Sequence, residues 1–134
     1  MAGAFVYLRI TGENLDFHAI NHCLAIKPSR TYKRGQTYKD GRTNEVIIYK
    51  EDCWQAGIEA SDGESAEELL DRFLEKLEPD IPEIQRLAQC YSMALYLSVY
   101  PKERQCSLHF SRKTLQIIGR LNIAMGCGIL YLGS

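Results

Sequence analysis

Two kinds of hydrophobic spacing divide this chain into predicted strands and helices. The segment AFVYLRI (residues 4–10) places Val6, Leu8 and Ile10 on one side and Phe5, Tyr7 and Arg9 on the other. This two-residue period predicts a half-buried β-strand. Residues 65–77 instead repeat apolar positions every three to four residues, which predicts an amphipathic helix. That helix opens with the Ser-x-x-Glu form of a capping box, and its stripe consists of Leu69, Leu70, Phe73, Leu74 and Leu77.

A shorter helix is predicted between the first strand and residue 27. Residues 12–26 gather apolar side chains on one helical face, with Asn14 or Asp16 as the N-cap. The pair Lys27-Pro28 is expected to end this helix, because a residue before proline is disfavoured in the α conformation.

Further elements follow from local composition. EVIIYK (residues 45–50) is rich in β-branched residues and predicts a strand, with residues 53–60 as its expected partner. Residues 78–89 predict a short helix that begins near a proline. Ser111 is expected to cap another helix, and residues 127–133 (CGILYLG) to form a last, well-buried strand.

The segment from residue 91 to residue 110 alternates apolar and polar positions twice. Residues 101–104 have the length of a four-residue hairpin loop, so the sequence predicts a β-hairpin. The register that places apolar residues together pairs Tyr96 with His109 on the polar side.

These elements together predict an α+β fold, with one mixed, largely antiparallel sheet and helices packed on one face. The uncovered face is expected to hold tyrosines, serines and His109. No repeat or linker interrupts the chain, so residues 1–134 are expected to form a single domain.

The sequence predicts a cytoplasmic protein. The N-terminus has no basic flank leading into an apolar run, and the apolar runs fall short of a membrane span. Five cysteines without any C-x-x-C pair argue against a disulfide framework and a zinc ribbon. We therefore expect free thiols, no membrane contact, no metal and no cofactor.

Residues 27–42, the basic loop, contain six basic residues and one acid, although the whole chain has a formal net charge of −1. Tyrosines stand between the charges, an arrangement that suits single-stranded nucleic acid or a nucleotide. The alternative is a well-solvated loop without a binding role, and an overall pI near 6.3 favours this alternative over nucleic-acid binding. The candidate binding residues of the loop are Arg30, Lys33, Arg34 and Lys39.

Residues 59–83 carry the opposite charge, with ten acids against Arg72 and Lys76. A polarised surface can steer a charged protein partner or a second copy of the chain. The alternative is a solvated helix face with acids at its N-terminus, where the helix dipole favours them.

Three smaller groups of residues are candidates for chemistry. His18 and His22 have the i, i+4 spacing of helical metal ligands, but two ligands are too few for a functional site. Ser98, Ser107 and His109 share the polar side of the predicted hairpin and could suggest nucleophilic chemistry, but no serine lies in a nucleophile-elbow motif. Trp54, the only tryptophan, either anchors the core or joins Tyr96 at a binding site on the sheet.

The chain resembles a known family over nearly its whole length. The features that carry the resemblance are LAIKPS before the basic loop, Trp54 after the next strand, the EELLDRFLEKLEP helix, the alternating segment and the closing helix and strand. Together they are similar to bacterial domain of unknown function 4279. This resemblance implies a small bacterial α and β domain with no established activity and supplies no functional residues.

The leading expectation is therefore a non-enzymatic protein-interaction module, of the immunity-like kind that binds a bacterial effector or toxin. Nucleic-acid or nucleotide binding through residues 27–42 is the alternative. A hydrolase or transferase with a sheet-face pocket at His109 is the third. The candidate binding residues are Arg30, Lys33, Arg34, Lys39, Trp54, Tyr96 and His109.

Overall fold

The computed structural model describes residues 3–133 as a β-sheet with a layer of helices. The strands are β1 (Ala4–Gly12), β2 (Arg30–Tyr32), β3 (Thr37–Lys39), β4 (Val46–Ile48), β5 (Asp52–Glu59), β6 (Ser92–Val99) and β7 (Ala124–Ile129). The α-helices are α1 (Phe17–Cys23), α2 (Ala66–Leu77), α3 (Ile81–Ala88) and α4 (Arg112–Leu121), and a 3-10 turn (Glu78–Asp80) joins α2 to α3. Within residues 3–133 none of these helices is long and apolar enough to cross a membrane.

Five strands form the main sheet in the order β2-β5-β1-β6-β7. All neighbours are antiparallel except β6 and β7, which are parallel. Strands β3 and β4 form a separate two-stranded sheet. The predicted fold class, α+β with a mixed, largely antiparallel sheet and helices on one face, is confirmed.

The core lies between the helices and the alternate residues of the central strands. Val6, Leu8 and Ile10 of β1 are fully buried, as the two-residue period predicts. Ile10 lies opposite Trp54 of β5 on one side and Met93 of β6 on the other. The other residues of β1 consequently project from the opposite surface of the sheet, which none of the described helices covers.

The helix signals identified in the sequence act as expected. Ser65 accepts a hydrogen bond from the Glu68 N–H, and the Glu68 carboxylate accepts one from the Ser65 N–H, which completes the capping box. Asp16 and Ser111 cap α1 and α4 by accepting one hydrogen bond each, from the Ala19 N–H and the Thr114 N–H. Helix α1 is shorter than predicted and ends at Cys23.

The predicted hairpin of residues 91–110 is wrong. Strand β6 forms, but its neighbours are β1 and β7, and residues 105–110 adopt no strand. These residues still alternate, because Cys106, Leu108 and Phe110 pack partly buried against the core. Alternation reports that one side of an extended segment is buried, and it does not identify a hydrogen-bonding partner.

Two further expectations about strands are wrong. Strand β4 pairs with β3 rather than with β5, and its Val46 and Ile48 are exposed. The last strand is not well buried, since β7 forms an edge of the sheet with Cys127 and Ile129 exposed. The apolar composition of β4 and β7 did not reveal that β4 lies in the separate two-stranded sheet and β7 at the edge of the main sheet.

Candidate functional site on the open face of the sheet

The surface of the main sheet opposite the helices, called the open face, holds two of the predicted site residues. Cross-strand partners point to the same side of a sheet, so the register places side chains in rows. One row contains Arg30, Gln55 and Arg9 on β2, β5 and β1. The next row contains Tyr7 and Tyr96 on β1 and β6. Arg30 and Tyr96 are therefore brought to one surface.

Trp54 and His109 lie elsewhere. Trp54 is completely buried, and its indole N–H donates a hydrogen bond of 2.9 Å to the Asn21 side chain. The alternative in which Trp54 anchors the core is thus the one the structure shows. His109 is exposed, and its backbone N–H donates to the Glu67 carboxylate at the start of α2. His109 is therefore separated from Tyr96 by the sheet.

The middle of the basic loop is attached to a buried carboxylate. Asp52 accepts hydrogen bonds from the backbone N–H of Arg34 (2.7 Å) and of Leu15 (3.0 Å). The Lys33 ammonium lies 3.7 Å from the same carboxylate and 4.6 Å from the centre of the Phe17 ring. The Arg34 N–H, followed by the Leu15 N–H and Lys33, lowers the pKa of Asp52 against the opposing effect of burial. Lys33 is consequently occupied in holding the loop.

Tyrosines of the basic loop and the adjoining residues stack on one another. The ring centres of Tyr32 and Tyr49 are 4.1 Å apart, and those of Tyr38 and Tyr49 are 5.0 Å apart. The Arg30 guanidinium lies over the outer ring of this stack, 5.1 Å from the centre of Tyr32. Lys39 extends from β3 with an exposed side chain. The rings thus form a small packed cluster beside the two-stranded sheet of β3 and β4.

Arg9 is the residue of the open face that the sequence analysis did not select. Its Nε is buried and has no hydrogen-bond partner among the described residues. Burial lowers the pKa of Arg9, but the adjacent Cys53 thiol and the Tyr7 phenol outweigh this effect, so the pKa is raised and the guanidinium is charged. The sequence did place Arg9 beside Tyr7 on the polar side of the first strand, and that position was the available signal.

Cys53 lies against this guanidinium as a thiol. Burial raises its pKa more than the neighbouring Arg9 lowers it, so the net shift is upward. A thiolate nucleophile requires the opposite shift. The Arg9–Cys53 contact accordingly offers a positive charge for binding and no activated sulfur.

A cavity of about 200 Å³ opens beside Arg9. Thr11, Glu51, Ser92 and Tyr96 are among the residues that line it. Its volume suits one small polar group rather than a whole cofactor. The cavity therefore resembles a subsite within a larger binding surface.

The aromatic rings of the open face lean over glycines on neighbouring strands. A β-carbon built on Gly126 of β7 would lie 2.6 Å from the Tyr96 ring, and one built on Gly57 of β5 would lie 2.9 Å from Phe5. The Tyr7 and Tyr96 rings stack with centres 5.1 Å apart, and Phe5 is 5.6 Å from Tyr7. The missing side chains make room for a continuous aromatic surface beside the arginines.

Most acidic side chains of residues 59–83 form hydrogen bonds or salt bridges with other residues of the chain. Glu64 forms two hydrogen bonds with Arg72, and these lower the pKa of Glu64 to about 2. Asp71 accepts from the buried Thr114 hydroxyl. Further acids with intramolecular partners are Glu67, Glu68, Glu78, Asp80 and Glu83. Much of the acidic stretch is therefore structural.

In contrast, Arg9 and Arg30 form no salt bridge within residues 3–133.

His18 and His22 lie edge to face with ring centres 4.7 Å apart. The described part of the chain contains no group of three or more residues suited to hold a metal ion. A larger cavity of about 570 Å³, between the loop of residues 60–65 and Tyr100, does not include His109.

Comparison with known proteins identifies a family. A family model described as a domain of unknown function, DUF4279, matches residues 2–131. No curated protein and no solved structure matches the chain.

Proposed function

We propose that this chain, which belongs to the DUF4279 family, is a non-enzymatic protein-binding domain whose open face holds an acidic segment of its partner. The observation that carries the proposal is the pair Arg9 and Arg30, which lie in one row without a carboxylate partner among residues 3–133. Within the described residues the Arg9 guanidinium contacts the Cys53 thiol, a weak acceptor, and no carboxylate, so a carboxylate supplied by a ligand would be the stronger partner for this group.

The spacing of the two arginines suits an extended peptide. They are separated by one strand, and neighbouring strands lie about 4.8 Å apart, so their Cα atoms are roughly 10 Å apart. In a polyproline II segment, which has three residues per turn and a rise of about 3.1 Å per residue, side chains three residues apart lie on one side and are separated by about 9 Å. Glu51 also lines the cavity beside Arg9 and would repel an acid placed close to it. We therefore expect two acids, one at each arginine, with the segment crossing at Gln55.

The residue types of the open face support a protein partner. Tyrosine, phenylalanine and arginine are enriched at the centres of protein interfaces, and Phe5, Tyr7 and Tyr96 form the surface beside Arg9. The partially exposed rings can cover apolar side chains of the partner. Its acids would then form charge-assisted hydrogen bonds with the guanidinium groups.

Nucleic-acid binding through the basic loop receives less support. Tyr32 is stacked between Tyr49 and the Arg30 guanidinium, which leaves only the outer face of Tyr38 open to a base. Lys33 is held by Asp52. The five free cysteines support action in a reducing compartment such as the cytoplasm, where a bacterial effector or toxin is the kind of partner that we propose.

Selection of displayed random peptides on the immobilised protein tests this proposal. We expect acids three positions apart to be enriched, with apolar residues beside them. For a selected peptide, Arg9→Gln and Arg30→Gln should each weaken binding by about tenfold or more, since each change removes a charge-assisted pair. Arg104→Gln, in an exposed loop, is the matched control and should leave the affinity unchanged.

Two outcomes would overturn the proposal. Selected peptides without acids, or affinities that the two arginine variants leave unchanged, would remove the open face as an acidic-peptide site. Tighter binding of a single-stranded oligouridine, weakened by the same variants, would replace the protein partner by nucleic acid. Thermal melting of each variant shows that the fold is retained.

A further inference from the structure

The end of the chain forms an edge that carries no charge. Residues 121–133 contain no Asp, Glu, Lys or Arg, although charged residues make up 25% of the sequence. Strand β7 lies within this stretch and pairs on one side with β6. Among residues 3–133 no strand pairs with its other side, since β7 ends the sheet order.

The backbone groups of β7 that face outward can be assigned from one hydrogen bond. The Leu130 N–H donates to the Val99 carbonyl at 2.9 Å. Hydrogen-bonding direction alternates along a strand, so even-numbered residues of β7 face β6. The N–H and C=O groups of Met125, Cys127 and Ile129 therefore point away from the sheet and are ready for another strand.

Exposed apolar side chains continue this edge. Ile129, Leu130, Tyr131 and Leu132 are 50%, 54%, 37% and 54% exposed. Four consecutive exposed apolar residues that follow a strand with one open edge are the pattern that attracts another chain. The edge is therefore both apolar and able to form backbone hydrogen bonds.

The opposite edge of the sheet shows how edges are normally protected. Strand β2 has only three residues, and one of them is Arg30. Short length and charge are two devices that prevent pairing between sheets. Strand β7 has six residues and neither device.

We propose that β7 pairs antiparallel with β7 of a second copy of this chain, around a two-fold axis that passes near Cys127. Because β7 carries no charged residue, this pairing places no like charges opposite each other. An axis perpendicular to the sheet keeps the helices of both copies on the same side. Two five-stranded sheets then form one continuous sheet.

This axis fixes the register of the contact. Cys127 lies opposite Cys127 of the second copy, and Ile129 lies opposite Met125. Each of the three outward-facing residues exchanges two backbone hydrogen bonds with its counterpart, which gives about six in total. The side chains of Met125, Cys127 and Ile129 share the helix side, where Leu95, Leu97 and Val99 of β6 also lie.

The size of this contact predicts a dimer of modest affinity. Six residues of strand and four apolar side chains on each copy belong to the small class of specific interfaces, roughly 1,000 Å² in total. The exposed apolar residues 130–132 add contact area beyond the strand. We therefore expect dissociation in the micromolar range, on the order of 1–100 µM.

Sedimentation equilibrium over about a hundredfold range of concentration measures this association. The weight-average mass should rise from 15.3 kDa towards 30.6 kDa, twice the chain mass. Ile129→Lys replaces an apolar cross-strand contact with Met125 of the second copy by a charged side chain on the edge and should weaken dimerisation by tenfold or more. Val46→Lys is the matched control, because Val46 is an apolar strand residue with 67% exposure on a different surface.

Oxidative cross-linking tests the register. Opposite residues of a hydrogen-bonded antiparallel pair have Cα atoms about 5.5 Å apart, which lies within the range of a disulfide. In a Cys90→Ser background, which removes the other exposed thiol, diamide should produce a covalent dimer. The additional change Cys127→Ser should abolish it.

Three results would overturn the proposal. The first is a mass of 15.3 kDa throughout the concentration range. The second is a dimer that Ile129→Lys leaves intact, or that Val46→Lys disrupts equally. The third is cross-linking that persists without Cys127. Circular dichroism of each variant distinguishes loss of the dimer from loss of the fold.

Discussion

Replacement of Asp52 by asparagine should destabilise the protein by removing the anchor of the basic loop. The Asp52 carboxylate is buried and accepts from the Arg34 and Leu15 N–H groups, with Lys33 at 3.7 Å. Asparagine keeps the shape but loses the charge and one acceptor oxygen. One backbone N–H is then left facing an amide N–H instead of an oxygen.

The expected magnitude follows from these contacts. Hydrogen bonds to a charged group contribute about 1.5–3 kcal/mol each, and a buried N–H without an acceptor costs roughly 1–3 kcal/mol. Because the amide oxygen still satisfies one donor, we expect a loss of about 2–4 kcal/mol in the free energy of unfolding. The matched control is Asp62→Asn, an exposed loop residue, which should change stability by less than about 0.5 kcal/mol.

The pH dependence gives an independent test. The pKa of Asp52 is lowered in the folded protein from its ordinary value of 3.8. Its stabilisation is therefore fully present above pH 3.8 and disappears as the pH falls through the lower pKa of the folded state. The difference in stability between the native sequence and Asp52→Asn should be largest at neutral pH and shrink in acid.

Urea unfolding monitored by the fluorescence of Trp54 measures both effects, because this ring is fully buried in the folded protein. Titrations at neutral pH and at about pH 2.5 give the two differences. A neutral-pH loss below about 1 kcal/mol would refute the anchoring role. An equal loss at both pH values would show that the charge of the carboxylate is not responsible.

Two further predictions concern other contacts. Gly57→Ala should lower the free energy of unfolding by about 1–3 kcal/mol, because a β-carbon there would lie 2.6 Å from the Val6 carbonyl oxygen. Gly128→Ala is the control, since a β-carbon there meets nothing within 4 Å. Equal urea midpoints for the two variants would contradict this prediction. Carbon-13 NMR of the side-chain carboxyl should show that Glu64 titrates with a pKa of about 2 and that Arg72→Gln moves this value towards 4.5. A pKa that does not respond to the substitution would contradict the ion pair.

Elements defined by neighbouring residues were predictable from the sequence. The capping box at Ser65 and the stripe of α2 depend on residues three or four positions apart, and both occur as predicted. The alternation of β1 likewise specified which of its residues are buried. In each case the decisive contacts are local.

The partners of strands were not predictable in the same way. Strand β6 lies beside β1 and β7 rather than beside residues 105–110, because the choice depends on which distant segments share the core. The candidate site was predicted in part for the same reason. Arg30 and Tyr96 reach the open face, Trp54 and His109 do not, and Arg9 becomes prominent only because the register places it between them.

The central position of β1 has a consequence for synthesis of the protein. This strand is made early, yet both of its neighbours, β5 and β6, are made later, and β6 ends only at Val99. Its apolar residues cannot be covered on both sides until most of the chain has left the ribosome. We therefore expect a stalled chain that stops before residue 92 to be recognised by chaperones as unfolded, with a sharp gain of protease resistance once β6 has emerged.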